Sequence, residues 1–386
     1  MFDLNKNNWP EFQFSEIAEQ ISERIDPAES DAEVYVGLEH IEPNSIHIKE
    51  YGKPSDVKGT KLKVYKGDII FGKRRAYQRK AAIANFDGIC SAHAMVLRAK
   101  PKIMIPELFP FFLHSDAFMN RAIDISEGSL SPTIKWKILA KQKFTIPPLD
   151  DQRKLADLLW AGDELSNKKS DLIFSLNLYK NTLIEDTLFR SKEFNEVKLG
   201  DLGQLLGGVT FKNTDLKDGY SKTTTAVIRA NNIKDNKMVF EDMYFVTDDK
   251  VQQNKILKDG DIAICMSNGN PNLVGKSAIV STEKYPKISV GAFCSAFRPN
   301  HKNKEIVQLI FESYTYSQKV LKFVSGTNIN NLRPDDLKNI KLRISKNISS
   351  KGINKIFKIF SSIKLNNENL VQLQKVNKSI INNIFS

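Results

Sequence analysis

The stretch from Ile146 to Phe189, "IPPLDDQRKLADLLWAGDELSNKKSDLIFSLNLYKNTLIEDTLF", decides the architecture. Pro147 and Pro148 disfavour helix up to that point, and Asp150 and Asp151 place acid where a helix's first turn favours it. A long helix should follow. Leu158, Leu165, Leu172 and Tyr179 recur every seven residues, with Leu155, Leu176 and Leu183 as an interleaved seam. Ile359, Ile363, Leu370, Leu373, Ile380 and Ile384 repeat the pattern in the last segment, with Asn366 and Asn377 as polar breaks. Two apolar seams need each other, which predicts an antiparallel coiled coil. A helix of about 35 residues is about 50 Å long, so the second can return beside the first only if residues 193–345 are looped out as a separate domain.

Outward from that helix the sequence repeats itself. "FQFSEIAEQI" from Phe12 matches "VKLGDLGQLL" from Val197, and "YVGLEHIEPN" ending at Asn44 matches "VIRANNIKDN" ending at Asn236. "KGDIIF" at Lys66 matches "DGDIAI" at Asp259, and "EGSLSPTIKWKILAKQKFTI" from Glu127 matches "SGTNINNLRPDDLKNIKLRI" from Ser325. The Cys-Ser-Ala words at Cys90 and Cys294 match at a larger offset, about 204, and set His93 against Phe297. A Cys/His pair could form a nucleophile and its base. On a strand, however, an odd step puts Cys90 and His93 on opposite faces, and Phe297 does no proton chemistry. The words therefore read as small buried strand residues.

Composition fits two ordinary cores: 386 residues, 41% hydrophobic and 26% charged. Three cysteines without CxxC or Cys/His clustering point to a reducing compartment and no metal. Neither a signal-like start nor an apolar run of membrane-spanning length is read, so a cytoplasmic protein is expected. The charge is less ordinary. Lys and Arg number 57 against 45 Asp and Glu, a net +12, and a surplus of 10 falls from His301 onward. Such a balance fits a polyanionic partner.

The segment "KGDIIFGKRRAYQRKAAIANFDGICSAH", the loop "SGTNINNLRPDDLKNIKL" and above all "FTIPPLDDQRKLADLLWAGDEL" resemble the specificity subunits of type I restriction-modification enzymes. The resemblance runs nearly end to end. It implies an α+β fold: two similar target recognition domains, each a twisted, mostly antiparallel sheet with helices, and each followed by a long helix, the two long helices pairing as an antiparallel coiled coil. The domains fall at 1–150 and 193–345, with the central helix at 151–192 and the C-terminal helix at 346–386. The second helix entry, "RISKNISSKGINKIFKIF", departs from the family by lacking "PPLDDQ". The family also implies binding of an asymmetric bipartite DNA target, two modification (methyltransferase) subunits as partners, and restriction subunits joining that core for phage defence.

The residues independently favour a binder without cofactor. There is no "NPPY"-like loop for a flipped base, "NGNPNLVG" at Asn268 being a broken version, and no GxxxxGK[ST] loop for a nucleoside triphosphate. Base readers should be donor-rich side chains on loops, because Arg pairs with guanine and Asn or Gln with adenine. In the first arm these are Lys73, Arg74, Arg75, Tyr77, Gln78, Arg79 and Lys80, joined by Ser129, Ser131, Thr133, Lys135 and Lys137. Glu39 and His40 stand where the second arm has Asn231 and Asn232 beside Arg229. That arm adds Ser267, Asn268, Asn270, Asn272 and Lys276, then Thr327, Asn328, Asn330, Asn331 and Arg333. Two other readings remain open at this stage: an enzyme using Cys90 or Cys294, and a coiled-coil protein that binds no DNA.

Overall fold

Residues 6–324 and 331–386 are described by a computed structural model. The chain forms two compact units, one running to Asp171 with Asn367–Ser386 added, the other Leu172–Asn366. The central helix, Leu149–Leu188, begins in the first unit and ends in the second, while the C-terminal helix, Ser350–Phe385, begins in the second and ends in the first. Each unit thus holds the start of one long helix and the end of the other.

Within the first unit a four-stranded antiparallel sheet runs in the order Ala18–Ile21, Met95–Ala99, Ile69–Phe71, Ala81–Ile83. A second sheet follows the order Arg24–Ile25, Lys61–Val64, Gly88–Cys90, Tyr35–Val36, whose last pair is parallel. Helices Phe109–His114 and Asp116–Asp124 close an aromatic core. Phe14 sits within it, its ring centroid 5.3 Å from Phe118 and 6.0 Å from Phe144. Each such ring contributes about 1.5–3 kcal/mol through burial.

The second unit repeats the plan. Gly203–Gly207, Cys294–Pro299, Ile262–Cys265 and Ser277–Ile279 form one sheet, and Leu216–Lys217, Tyr244–Thr247, Thr224–Ile228 and Ile288–Val290 the other. The "GDI" words repeat because their aspartates do the same work. Buried Asp68 accepts from the Tyr65 N–H and from Arg98, and buried Asp261 accepts from the Lys258 N–H and from Arg298. A second shared device escapes sequence reading. Ser115 and Ser313, both buried, donate to the carbonyls of Phe112 and Ile310 and accept the N–H groups of Phe118 and Tyr316, each capping a helix.

Strand register corrects one alignment. Leu97 lies opposite Ile69 and Gln20, and Phe297 lies opposite Ile262 and Leu205. Leu97 and Phe297 are therefore equivalent, which sets His93 against Phe293 rather than Phe297. Cys90 ends one strand, whereas Cys294 begins the next one, so the Cys-Ser-Ala words coincide in letters only. Residues 91–94 and 291–294 are turns, closed by the Ala94 N–H donating to the Ser91 carbonyl and the Cys294 N–H to that of Gly291, at 2.9 and 2.8 Å.

The long helices pair antiparallel within each unit, along a face that keeps Leu155 of the expected seam but turns Leu165 and Leu172 outward. In the first unit Leu155, Ala156 and Leu159 share a core with Ile384 and Phe385, and in the second Ile184 and Leu188 share one with Ile353 and Ile356. A Cβ on Gly162 would stand 2.6 Å from Asn377 Oδ1, so glycine is what allows that approach. Asn377 also donates to Ser166 Oγ. Along the central helix the packed face runs through Gln152, Leu159, Ser166, Ile173 and Lys180. Leu165 and Leu172, expected on the seam, are 52% and 47% exposed, and Leu158, Leu176 and Leu183 are half-buried. Where Gly162 and Ser166 meet Asn377, small and polar residues allow close approach and a hydrogen bond, and Leu165 and Leu172 face outward while Leu183 packs on the core of the second unit. On the C-terminal helix Ile359, Ile363 and Ile384 are buried and Leu370, Leu373 and Ile380 half-buried.

The family-like entry "PPLDDQ" has a physical reason in Gln152. Its buried amide accepts from the Ile105 N–H and donates to the carbonyls of Ile103 and Pro147, clamping the helix start to the first unit.

Candidate nucleic-acid interface

In the first unit the loop following Ile69–Phe71 is bound to the segment 127–134. The Ile134 N–H donates to the Lys73 carbonyl and the Arg75 N–H to that of Pro132, at 2.9 and 2.7 Å. Ser131 Oγ accepts from Arg74 Nε at 3.0 Å and from Arg75 Nε at 3.2 Å. Thr133 bridges Arg74 through the backbone. The turn 91–94 joins them, since the Arg74 N–H donates to the His93 carbonyl and Arg74 Nη1 lies 3.2 Å from His93 Nε2. Three segments, remote in sequence, therefore form one basic surface. Desolvation, then the charges of Arg74, Lys73 and Lys61, hold the His93 imidazole below its ordinary value, and desolvation lowers half-buried Lys73. His93 is thus neutral at pH 7.

Other residues of this arm divide by what they touch. Tyr77 and Ser129 are exposed, as are Lys135, paired with Glu127 at 2.6 Å, and Lys137, while Gln78 is half-buried. Arg79 and Lys80 are committed within the unit: Arg79 pairs with Asp116 at 2.5 Å, and Lys80 donates to the Leu38 carbonyl at 2.6 Å. His40 Nδ1 accepts from the Gly37 N–H. Glu39 folds its carboxylate back over Gly37, where a Cβ would stand 2.0 Å from it.

The second unit builds the same constellation from different side chains. Ser267 bridges Asn331, the Leu332 N–H donates to the Met266 carbonyl, and the N–H groups of Met266 and Ser267 donate to that of Phe293 at 2.9 and 3.2 Å. Asn268 and Asn270 accept the N–H groups of Asn270 and Asn272. These are turn-forming bonds that shape the loop. Asn331 and Arg333 are exposed and Lys276 half-buried; Thr327, Asn328 and Asn330 lie outside the described residues. Asn231 is exposed, but Asn232 is wholly buried. It accepts from the Arg229 N–H and donates to the carbonyls of Val239 and Glu241. This corrects the expectation that Asn232 contacts DNA: its whole amide is used in holding the turn.

Arg229 takes the place of Gly37. Its guanidinium stacks 3.5 Å from the Tyr244 ring centroid and donates to the Asp242 carbonyl, while buried Nε has no hydrogen-bond partner among the described residues. It walls a groove of about 750 Å³ with Phe211, Tyr244, Asn268 and Phe293, the last 70% exposed. Sequence reasoning missed Tyr244, His93 and Phe293. A strict offset of 200, as between Leu97 and Phe297, would have found the last two.

The cysteines offer no reactive centre. Cys90, Cys265 and Cys294 are buried, and burial pushes the Cys90 and Cys294 thiols up to about 12.

Comparison with known proteins agrees with this geometry. The family described as "Type I restriction modification DNA specificity domain" matches residues 6–173 and 191–375. The chain is 34% identical over 142 residues to the type I restriction enzyme StySPI specificity subunit of Salmonella potsdam, and 35% over 153 residues to the EcoKI specificity subunit of Escherichia coli K12. Each alignment takes in 36% of this chain and only 30% of the relative. A longer match, 23% identical, covers 82% of this chain and 75% of the MjaVIII specificity subunit of Methanocaldococcus jannaschii. In fold, the chain resembles the type I restriction-modification S subunit from M. genitalium with a TM-score of 0.60 at 14% identity, covering 100% of this chain and 98% of that one. With two matched segments on two repeated units, the chain belongs to the type I restriction-modification DNA specificity family.

Proposed function

We propose that the chain is the DNA sequence-recognition subunit of a type I restriction-modification complex. The observation that carries this reading is one three-segment surface built twice with different chemistry. Arg74, Arg75 and Ser131 meet in the first unit, where Ser267, Asn268 and Asn331 meet in the second. Phosphate contacts would set register, and donors at base edges would set sequence. Unlike surfaces read unlike half-sites, so the target is asymmetric and bipartite, the second half leaning toward adenine contacts through asparagine.

The chain itself does no chemistry under this reading, and buried, protonated thiols support that. Two modification subunits supply methyl transfer and restriction subunits join them. The leucine stripe Leu165, Leu172 and Tyr179, exposed on one face of the central helix, gives a modification subunit an apolar surface to pack on. A cytoplasmic setting follows from that partnership. Among the described residues no helix is long and apolar enough to cross a membrane.

The test is methylation mapping in cells that express the chain with its modification subunit. Methylated adenines should fall in one asymmetric two-part motif. Methyl transfer by the purified chain alone, or methylation without a shared motif, overturns the proposal.

A further inference from the structure

Each recognition surface contains one side chain held where a base reader belongs, at the third position of the turn between two sheet strands. The turns 91–94 and 291–294 share the same closing hydrogen bond, and the carbonyl of the third residue accepts from the Arg74 N–H in the first unit and from the Met266 and Ser267 N–H groups in the second. The backbone of His93 and Phe293 is thus locked to the loops that carry the other candidate contacts, while the side chains differ completely. A large apolar ring, 70% exposed at the mouth of a 750 Å³ groove, adds little to the core of its own unit. Arg229, stacked on Tyr244, forms part of the same groove's wall. An exposed ring over a groove lined by Phe211 and Tyr244 suits a surface that receives a ligand.

We propose that this turn position is a specificity-determining residue in each unit: Phe293 contacts the methyl group of a thymine, and His93 acts with Arg74 on a guanine. The inference rests on the DNA-recognition function proposed above. In the major groove the thymine methyl is the apolar feature a phenyl ring can read, and guanine presents the paired acceptors N7 and O6. Arginine only donates, so the 3.2 Å contact makes His93 Nε2 the acceptor from Arg74 and places the proton of the neutral ring on Nδ1. Nδ1–H and the remaining guanidinium donors then form a set of donors, matching guanine's acceptors. Asn268 and Asn231, on the groove with Phe293, supply amides to the neighbouring bases of the second half-site.

The experiment uses the full complex with its modification subunit, binding duplexes of the mapped target in which single thymines are replaced by deoxyuridine, which removes only the methyl group. One thymine in the half-site read by the second unit should matter, with affinity falling roughly fourfold for the lost methyl. Phe293→Ala should lose a similar factor on thymine and no longer distinguish it from deoxyuridine, while the other half-site is read unchanged. Phe293→His should shift the preferred base at that position alone. His93→Ala should relax one guanine in the first half-site. If no deoxyuridine matters, or if Phe293→Ala still discriminates, the role of the turn is overturned while the recognition function stands. If the wild-type complex shows no sequence preference at all, the function proposed above falls and this inference with it.

Discussion

The turn at His93 and the turn at Phe293 share a backbone and almost nothing else. One presents a neutral imidazole against Arg74 among lysines; the other presents a bare phenyl ring beside asparagines. Beneath them the frame matches closely: buried Asp68 with Asp261 and Ser115 with Ser313, and the half-buried partners Arg98 with Arg298. The difference teaches where this plan stores its information. Hydrogen bonds to backbone and buried carboxylates keep the frame fixed, so side chains at the loop tips can change without altering their own placement.

The strongest way to break the comparison is to remove a frame residue. Asp68→Ala and Asp261→Ala should each destabilise their own unit by about 3 kcal/mol, because a buried acceptor of several bonds is lost and an arginine is left behind. Thermal unfolding of each variant checks this. Equal losses would support equivalent roles, and a loss in only one unit would show that the shared words do different work.

A smaller effect separates neighbours. Asn232→Ala should cost about 2 kcal/mol of stability through three lost backbone bonds, whereas Asn231→Ala should leave stability within about 0.5 kcal/mol. Under the proposed function Asn231→Ala changes only the second half-site. Calorimetry beside methylation mapping distinguishes the two residues, and an unstable Asn231→Ala would place Asn231 in the frame as well.

On the other surface, Arg74→Ala with Arg75→Ala should relax the first half-site, at roughly 1–3 kcal/mol for each bidentate base contact removed. Uniform weakening across sequences, with a shallower salt dependence, would mean that these arginines hold phosphate.

These residues also show what the sequence could and could not reveal. The twofold plan was legible because its frame residues keep both type and order, as in "KGDIIF" and "DGDIAI", and the long helix announced itself through prolines, acids and heptads. The equivalence of His93 and Phe293 was hidden, because a chance Cys-Ser-Ala match pointed four residues away and only hydrogen-bonded strand register corrects it. Asn232 looked like its neighbour in letters but is a buried brace, and burial cannot be read from one polar residue. Part of the seam of the central helix, Leu165 and Leu172, was misread for a similar reason, whereas Leu155 does pack with the end of the C-terminal helix. Periodicity reports that a stripe exists, not which stripe meets the chain's own second helix.

That last point gives the smallest effect on the isolated chain. Leu165→Ala and Leu172→Ala remove apolar area that is already about half exposed, unlike the buried Leu155 and Leu159 that share a core with the C-terminal helix. Each should therefore change unfolding stability by no more than about 0.5 kcal/mol. Ile184→Ala, buried where the helices pack in the second unit, should cost about 2–5 kcal/mol by leaving a cavity. If the outward stripe receives a modification subunit, the order reverses in an assembly assay. Leu165→Glu and Leu172→Glu would leave the chain folded yet weaken its complex, because a carboxylate would have to be desolvated in an apolar contact. Size-exclusion chromatography of the mixed subunits, with circular dichroism on the chain alone, reads both quantities. Full assembly by the double glutamate variant would show that the stripe is merely solvated, and that the modification subunits grip the chain elsewhere.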